Sequence, residues 1–400
     1  MKALQFERSV TRYITTKALS TVSRRYRATA SPLSFKDGVT LDRPDSDFVQ
    51  TNVMLSGICG SDLGMLTAAS SRYFEDFITF PFIPGHEIVG RAEVDGISQR
   101  VVVEPVLNCI ARKIPNPCRF CLIGEKDKCV NLVVGCLEPG VQSGYCESTG
   151  GGWSEFLYCH PSQLHVIPEA LTDEEALMVE PLACAIHIVK AGNIGDVTRV
   201  AIIGSGTVGL LVAAALSRFR PDVEVTSLAR YGHQQNIARG YGSSIVRSND
   251  ELRRLARGKT RGVLANGRVT DGFDLTIDAV GSKESVELAL EVTAPGGRVL
   301  MAAIPKPTSL DLTALWHKSI SMEGRYAYGV ESVDGVNRST FELALEVAPS
   351  LSLDDLVTKI YPLEDYEDAI NHAIEAGSRG AIKIAFDPST RHSRTPRKVS

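Results

Sequence analysis

The segment that most limits the fold is VAIIGSGTVGLL at residues 200–211, where an apolar run enters Gly204, Gly206 and Gly209 and passes straight into a second apolar run. Gly204 permits a tight turn, Gly206 lets the backbone approach a pyrophosphate, and Gly209 lets a helix pack close to a sheet. The start of that helix, with Thr207 and Val208, offers backbone NH groups and a positive dipole to phosphate. Three such glycines alone are weak. Their setting is what counts: a strand stands before them, and VEVTSLA, FDLTIDAVG and GGRVLMAAI follow with helical stretches between. Alternation of this kind predicts an α/β protein with a doubly wound parallel sheet, and a dinucleotide site rather than a mere turn.

The chain has 400 residues, more than one hydrophobic core normally serves, so a second domain is expected. Residues 48–168 supply it, with short strands such as FVQTNVMLSG, EIVGRAEV and GGWSEFLYCHPSQLHVIP broken by turn residues. Thr172 and Glu175 form a capping box before a helical stretch to about Ala191, and Pro181 predicts a kink in it. SISMEGRYAYG reads as an edge strand. Helices are expected around Thr340–Val347 and Asp365–Ala376, and AIKIAF is expected to rejoin the first domain. Residues 387–400 read as a loose polar tail. From Arg8 to Lys36 there are seven basic residues and no acidic one, the composition of an organelle transit peptide. The favoured alternative is an inserted amphipathic helix, because Val10, Ile14, Ala18, Val22 and Tyr26 recur at helical spacing after the strand MKALQF.

Two further constellations carry chemistry. SGICGSD, with Cys59, is followed 27 residues later by PGHE, with His86 and Glu87, and later by MVEPLACAIH, with Glu180. A thiolate, an imidazole and a carboxylate make a three-ligand zinc set with a fourth position open, the requirement of a catalytic site. In NCIARKIPNPCRFCLIGEKDKC, Cys109, Cys118, Cys121 and Cys129 place four thiols within 21 residues, which suits a closed structural zinc. Cys136, Cys146, Cys159 and Cys184 have apolar neighbours and read as buried free thiols.

GICGSD, PGHE, the cysteine lobe, EPLA and GSGTVG stand in the order found in zinc-containing medium-chain dehydrogenases/reductases, the family of alcohol, polyol, glucose and threonine dehydrogenases, and the chain resembles that family over nearly its whole length. The resemblance implies a GroES-like catalytic domain over 1–183 with a zinc lobe at about 109–129, a Rossmann domain over 184–330, and a return to the catalytic domain over 331–386. It implies an active site in the cleft between the domains and a homodimer or homotetramer. It also implies that Cys59 and His86 bind the catalytic zinc, with Glu180 as third ligand and Glu87 adjacent or exchanging. Ser61 matches the hydroxyl that passes the substrate proton, and Asp62 matches a residue supporting the ligands. Three departures stand out. Eight residues separate Cys109 from Cys118 where the family has two, Gly64 stands in place of the relay histidine of alcohol dehydrogenases, and about twenty residues are added before the Cys59 loop.

The expected partner is therefore a small alcohol or carbonyl compound, with one catalytic and one structural zinc. The cofactor is expected to be NADP(H) rather than NAD(H): after the second strand of the nucleotide domain, the register of the ribose-binding carboxylate falls on Ala229, and Arg230 follows with a charged fork suited to phosphate. A net charge of −4 gives no reason to expect nucleic acid, and no apolar run is long enough to span a membrane. Nine cysteines without a secretory apolar segment favour metal binding over disulfides and a cytoplasmic setting. Two other classes stay open, a zinc-independent double-bond reductase of the same fold and a non-catalytic dinucleotide-binding protein.

Overall fold

In the computed structural model, which describes residues 1–22, 25–191, 197–257, 271–333 and 335–396, the chain forms two units. One comprises Met1–Glu180, Tyr328–Val330 and Arg338–Ser400; the other comprises Pro181–Ala327 and Glu331–Asn337.

The second unit is built on a six-stranded sheet in the order Ser244–Val246, Glu224–Leu228, Arg199–Ile203, Phe273–Asp278, Thr293–Met301 and Ser321–Gly324. Every neighbouring pair is parallel. Val200, Ala201 and Ile202 are fully buried, as a strand covered on both faces requires. Ser321–Gly324 lies at the edge, as SISMEGRYAYG predicts. The turn into the helix Thr207–Phe219 needs its glycines: Gly204 has φ +97°, and a Cβ on Gly209 would lie 1.9 Å from the carbonyl oxygen of Gly204. A Cβ on Gly206 would meet open space, so the room it leaves is not taken by the protein itself.

The first unit holds a mainly antiparallel sheet in the order Val357–Tyr361, Lys383–Phe386, Val49–Gly57, Ile88–Val94, Ile97–Val103 and Leu164–Val166, with Phe156–Cys159 also pairing to Val49–Gly57. AIKIAF does rejoin this domain, through Ala385 opposite Gly57 and Phe386 opposite Ser56. The segment read as a loose tail is tied in as far as Arg394, whose backbone exchanges two 2.9 Å hydrogen bonds with Ile360 and whose guanidinium pairs with Glu174; residues 397–400 lie outside the described residues.

Two local expectations are corrected. The helical stretch breaks at Met178, the C-cap of Asp173–Leu177, and a new helix Val179–Ala191 follows. Pro181 stands in the first turn of that helix, where its missing NH has no partner to lose, so the interruption falls just ahead of the proline, as a break between two helices and not a bend within one. The inserted segment does form a helix, Val10–Val22, but it is turned the other way: Val10 and Ile14 are 69% and 60% exposed, and Tyr13, Thr16 and Leu19 are half-buried. The side chain of Val22 lies outside the described residues. The anchor lies beyond the helix, where the backbone of buried Tyr26 donates to and accepts from the Asn371 amide at 2.8 and 3.1 Å. Leu33–Lys36 then returns antiparallel to Ala3–Phe6. Among the described residues, no helix is long and apolar enough to cross a membrane.

Candidate functional site

The sheet brings the first set of predicted residues together. Val49–Gly57 runs antiparallel to Ile88–Val94, with Ser56 opposite Ile88, so the end of one strand lies beside the start of the other. Cys59 follows the first strand closely, and His86 and Glu87 immediately precede the second. The two ends are clamped by the Gly57 NH donating to the Glu87 carbonyl at 2.9 Å. His86, Glu87 and Asp62 are buried, as is Glu180, while Cys59 and Ser61 are half-buried.

Cys59 is the N-cap of the short helix Gly60–Leu66, and its NH donates to Asp62 Oδ2 at 2.9 Å. The other carboxylate oxygen, Asp62 Oδ1, lies 3.6 Å from His86 Nδ1. On the opposite side of the imidazole, Nε2 lies 3.4 Å from Ser61 Oγ. Burial alone would depress the imidazole pKa, but Asp62, Cys59 and Glu180 overcome it and raise it to about 10. Burial pushes the Asp62 carboxyl up. A thiol and two carboxyl groups thus act on one imidazole. A buried anionic set of this kind fits a divalent cation, with Cys59, His86 and Glu180 as borderline-soft N, S and O donors suited to zinc. These three do not, however, close to the spacing found in the cysteine lobe, the one set of three or more such ligands within 4.8 Å among the described residues.

Glu87 is engaged elsewhere. Both its carboxylate oxygens accept from Lys383 Nζ at 2.6 Å, and the same ammonium donates to the Ile58 carbonyl at 3.2 Å. Lys383 is buried, and its charge is sustained against desolvation by Glu87, Cys59 and Glu180. Sequence reasoning missed this residue; its signal was a lone lysine inside AIKIAF, a run that must be buried to rejoin the sheet. It also missed Gly57, where a Cβ would come 1.9 Å from Glu87 Oε2. Lys383→Met is expected to destabilise the protein by about 3–5 kcal/mol, because it strands a buried carboxylate. Adding Glu87→Gln should restore most of that loss in denaturant unfolding, and failure of the second change to restore any stability would contradict the pairing.

The second predicted set is gathered outright. Cys109, Cys118, Cys121 and Cys129 bring their sulfur atoms within 4.8 Å of one another. The long spacing after Cys109 is absorbed by a compact turn in which the Asn108 side chain accepts from the NH of Ile110 and Ile114 NH donates to the Cys109 carbonyl. Fully buried Arg112 pins this turn by donating to the carbonyls of Leu107, Val134, Leu137, Glu138 and Gly140. Cys109 Sγ accepts from the Cys118 NH at 3.3 Å and from Asn131 Nδ2 at 3.2 Å. Desolvation works against the Cys118 thiolate, yet backbone NH groups of Cys121, Val130 and Phe120 hold its pKa down to about 6. Donor number, chemistry and burial fit a closed zinc site. Of the other thiols, Cys146 and Cys159 are buried, whereas Cys136 and Cys184 are only half-buried.

In the second unit Ala229 directly follows the strand Glu224–Leu228 and is fully buried, with its NH on the Val246 carbonyl at 2.9 Å. Arg230 is exposed, and the rings of Tyr231 and His233 stack beyond it at 6.0 Å. Ser205 Oγ donates to the Leu228 carbonyl at 3.1 Å, which ties the glycine turn to the end of that strand.

Two family models match this chain, the alcohol dehydrogenase GroES-like domain over residues 45–169 and the zinc-binding dehydrogenase over residues 225–347. Glu180 and the glycine turn lie between the matched stretches. The chain is 27% identical over 352 residues to "Probable D-xylulose reductase A" of Arthroderma otae, covering 84% of this chain and 90% of that protein. It is 27% identical over 364 residues to the sorbitol dehydrogenase of Bacillus subtilis, covering 88% and 93%. In fold it is similar to the acetophenone reductase of Geotrichum candidum in complex with NAD, with a TM-score of 0.70 at 18% identity over 96% of each chain.

Proposed function

Because the chain belongs to the zinc-type medium-chain dehydrogenases/reductases, we propose that it moves a hydride between NADP(H) and an alcohol or polyol, or the corresponding carbonyl compound. The observation that carries this reading is the gathering of half-buried Cys59 with buried His86 and Asp62, with the charge of Glu180 felt at His86. Cys59, His86 and Glu180 would hold the catalytic zinc, and Cys109, Cys118, Cys121 and Cys129 the structural one. The chemistry zinc supplies in such a set is Lewis acidity, which lowers the pKa of a bound water from about 15.7 to about 7 and acidifies an alcohol in the same sense. Ser61 accepts the substrate proton at Oγ, beside His86 Nε2. Since residue 64 is glycine, the proton leaves Ser61 without a histidine at that position. Asp62 keeps the imidazole oriented, and Lys383 keeps Glu87 occupied. A zinc-independent double-bond reductase would have no need of this set.

The preference for NADP(H) rests on the second unit. Gly204, Gly206 and Gly209, with Thr207 and Val208, would cradle the pyrophosphate at the helix start, buried Ala229 offers no carboxylate to repel a 2′-phosphate, and exposed Arg230 would supply a fork for it. The exposed edge strand Ser321–Gly324 is the surface on which a homodimer would pair. Nine unlinked cysteines support a reducing, cytoplasmic setting.

One experiment tests the reading: a panel of alcohols and polyols followed at the reduced-nicotinamide absorbance with each cofactor, in the parent and in Arg230→Ala. Turnover is expected with NADP, and the preference over NAD should fall by about tenfold to hundredfold in the variant, the value of a hydrogen bond between charged groups. No turnover of any alcohol would reject the activity. Equal or better use of NAD by the parent would reject the cofactor.

A further inference from the structure

The strongest feature outside the predicted residues is Tyr145, a phenol that the fold delivers to the Cys59–His86 site from a separate loop. Its hydroxyl donates to Asp62 Oδ1 at 3.3 Å across 83 positions of sequence. Its ring lies 5.8 Å from the His86 ring at an interplanar angle of 35°, and 5.6 Å from Phe82. Ser61 is a further polar neighbour of the hydroxyl. The side chain is buried, and phenylalanine would satisfy the same apolar walls without the desolvation that a hydroxyl suffers.

The loop is built to hold this placement. Gly144 has φ +92°, and a Cβ there would come 2.7 Å from the carbonyl oxygen of Gly85, the residue before His86. Gly144 NH donates to the Gly150 carbonyl at 2.9 Å, and Tyr145 NH donates to the Gln142 carbonyl at 3.1 Å. The backbone that carries Tyr145 therefore lies directly against the backbone that carries His86.

We propose that Tyr145 is a positioning residue for the catalytic metal site: its hydroxyl and ring together fix the Asp62 carboxylate and the His86 imidazole, and so set how tightly the site retains zinc. Asp62 Oδ1 is the pivot: it accepts from the Tyr145 hydroxyl and stands 3.6 Å from His86 Nδ1, which has no hydrogen-bond partner of its own among the described residues, while Oδ2 is held by the Cys59 NH. Removing the hydroxyl frees the carboxylate to turn, and the imidazole loses the partner that sets its ring orientation. Groups that orient a metal-bound histidine in this way typically change metal affinity or activity by about 10- to 100-fold. The inference rests on the reading of Cys59, His86 and Glu180 as a zinc set.

The test uses zinc-loaded parent, Tyr145→Phe, Asp62→Asn, the double variant and Cys59→Ala, with zinc release to a colorimetric chelator measured beside kcat, KM and the unfolding midpoint. The catalytic zinc is the release phase that Cys59→Ala lacks. Tyr145→Phe is expected to speed that phase by about tenfold or more and to lower kcat with little change in KM. Its unfolding midpoint should stay near the parent's, and the double variant should be no worse than Asp62→Asn alone. Release at the parental rate, or effects that simply add to those of Asp62→Asn, would overturn the proposal. If Cys59→Ala retained both zinc ions, the zinc reading itself would fall and Tyr145 with it. If Cys59→Ala lost one zinc while Tyr145→Phe matched the parent, only the role of Tyr145 would fall.

Discussion

Cys59→Ala is expected to give a folded protein that holds one zinc per chain instead of two and turns over alcohol more than about 100-fold more slowly. The size of the loss follows from position. Changes to groups that only orient a ligand already reduce activity by about 10- to 100-fold, and Cys59 is proposed to supply a donor atom itself. Retention of the fold follows from position too. Cys59 is half-buried, and the backbone half of its capping of Gly60–Leu66, the NH on Asp62, is kept by alanine. The carbonyl of residue 59 also still receives the Leu63 NH. Zinc content by metal analysis, far-ultraviolet circular dichroism and steady-state rates check the three parts separately. A variant with two zinc ions and near-parental turnover would remove Cys59 from the site.

How far these residues can be read from sequence depends on whether the signal is local. The nucleotide turn is local: strand, Gly204, Gly206, Gly209 and helix are contiguous, and the steric reasons for Gly204 and Gly209 are met within the segment or next to Val280 and Ala279. The cysteine lobe is nearly as local, although only the structure explains how eight residues between Cys109 and Cys118 are accommodated, by a turn pinned on Arg112. Cys59, His86 and Glu180 are legible through the order of their motifs, not through spacing, because strand pairing rather than the chain between them makes Cys59 and His86 neighbours. Lys383 and Tyr145 approach the same site from 296 and 83 positions away from their carboxylate partners, and no periodicity links such positions. The direction of the inserted helix is lost for a related reason: Val10, Ile14 and Ala18 form a sound apolar face, but Tyr26 and Asn371, distant in sequence, decide which face turns inward.

The largest stability effect is expected from Cys121→Ala, which should leave one zinc per chain, lower the unfolding midpoint and open residues 109–134 to proteolysis. Apart from the Arg112 hydrogen bonds at its base, the lobe has little else to hold it. Its elements are two single 3₁₀ turns, Cys121–Ile123 and Lys126–Lys128, and the apolar side chains packed on its buried sulfur atoms are Ile114 and Leu132, both only partly buried. Leu122, Ile123 and Val130 face outward at 69%, 62% and 64% exposure and add no core. A shared ligand would account for four sulfur atoms within 4.8 Å of one another, since four thiolates at that distance repel and four thiols attract only weakly. Structural zinc contributes on the order of 10–16 kcal/mol to the folding of small zinc-binding peptides. In this chain part of that sum would go to ordering the lobe alone, so the global midpoint is expected to register less than the whole. The lobe is coupled to the sheet through Lys126, which meets buried Glu104 at 2.9 Å, with His165 of the strand Leu164–Val166 on the other side of the same carboxylate at 2.8 Å. Loss of the lobe should thus strip a buried carboxylate of one of its two partners and carry instability into the catalytic unit. Calorimetry with limited proteolysis reads both effects. A Cys121→Ala protein that keeps two zinc ions and melts with the parent would show that the four cysteines are ordinary thiols.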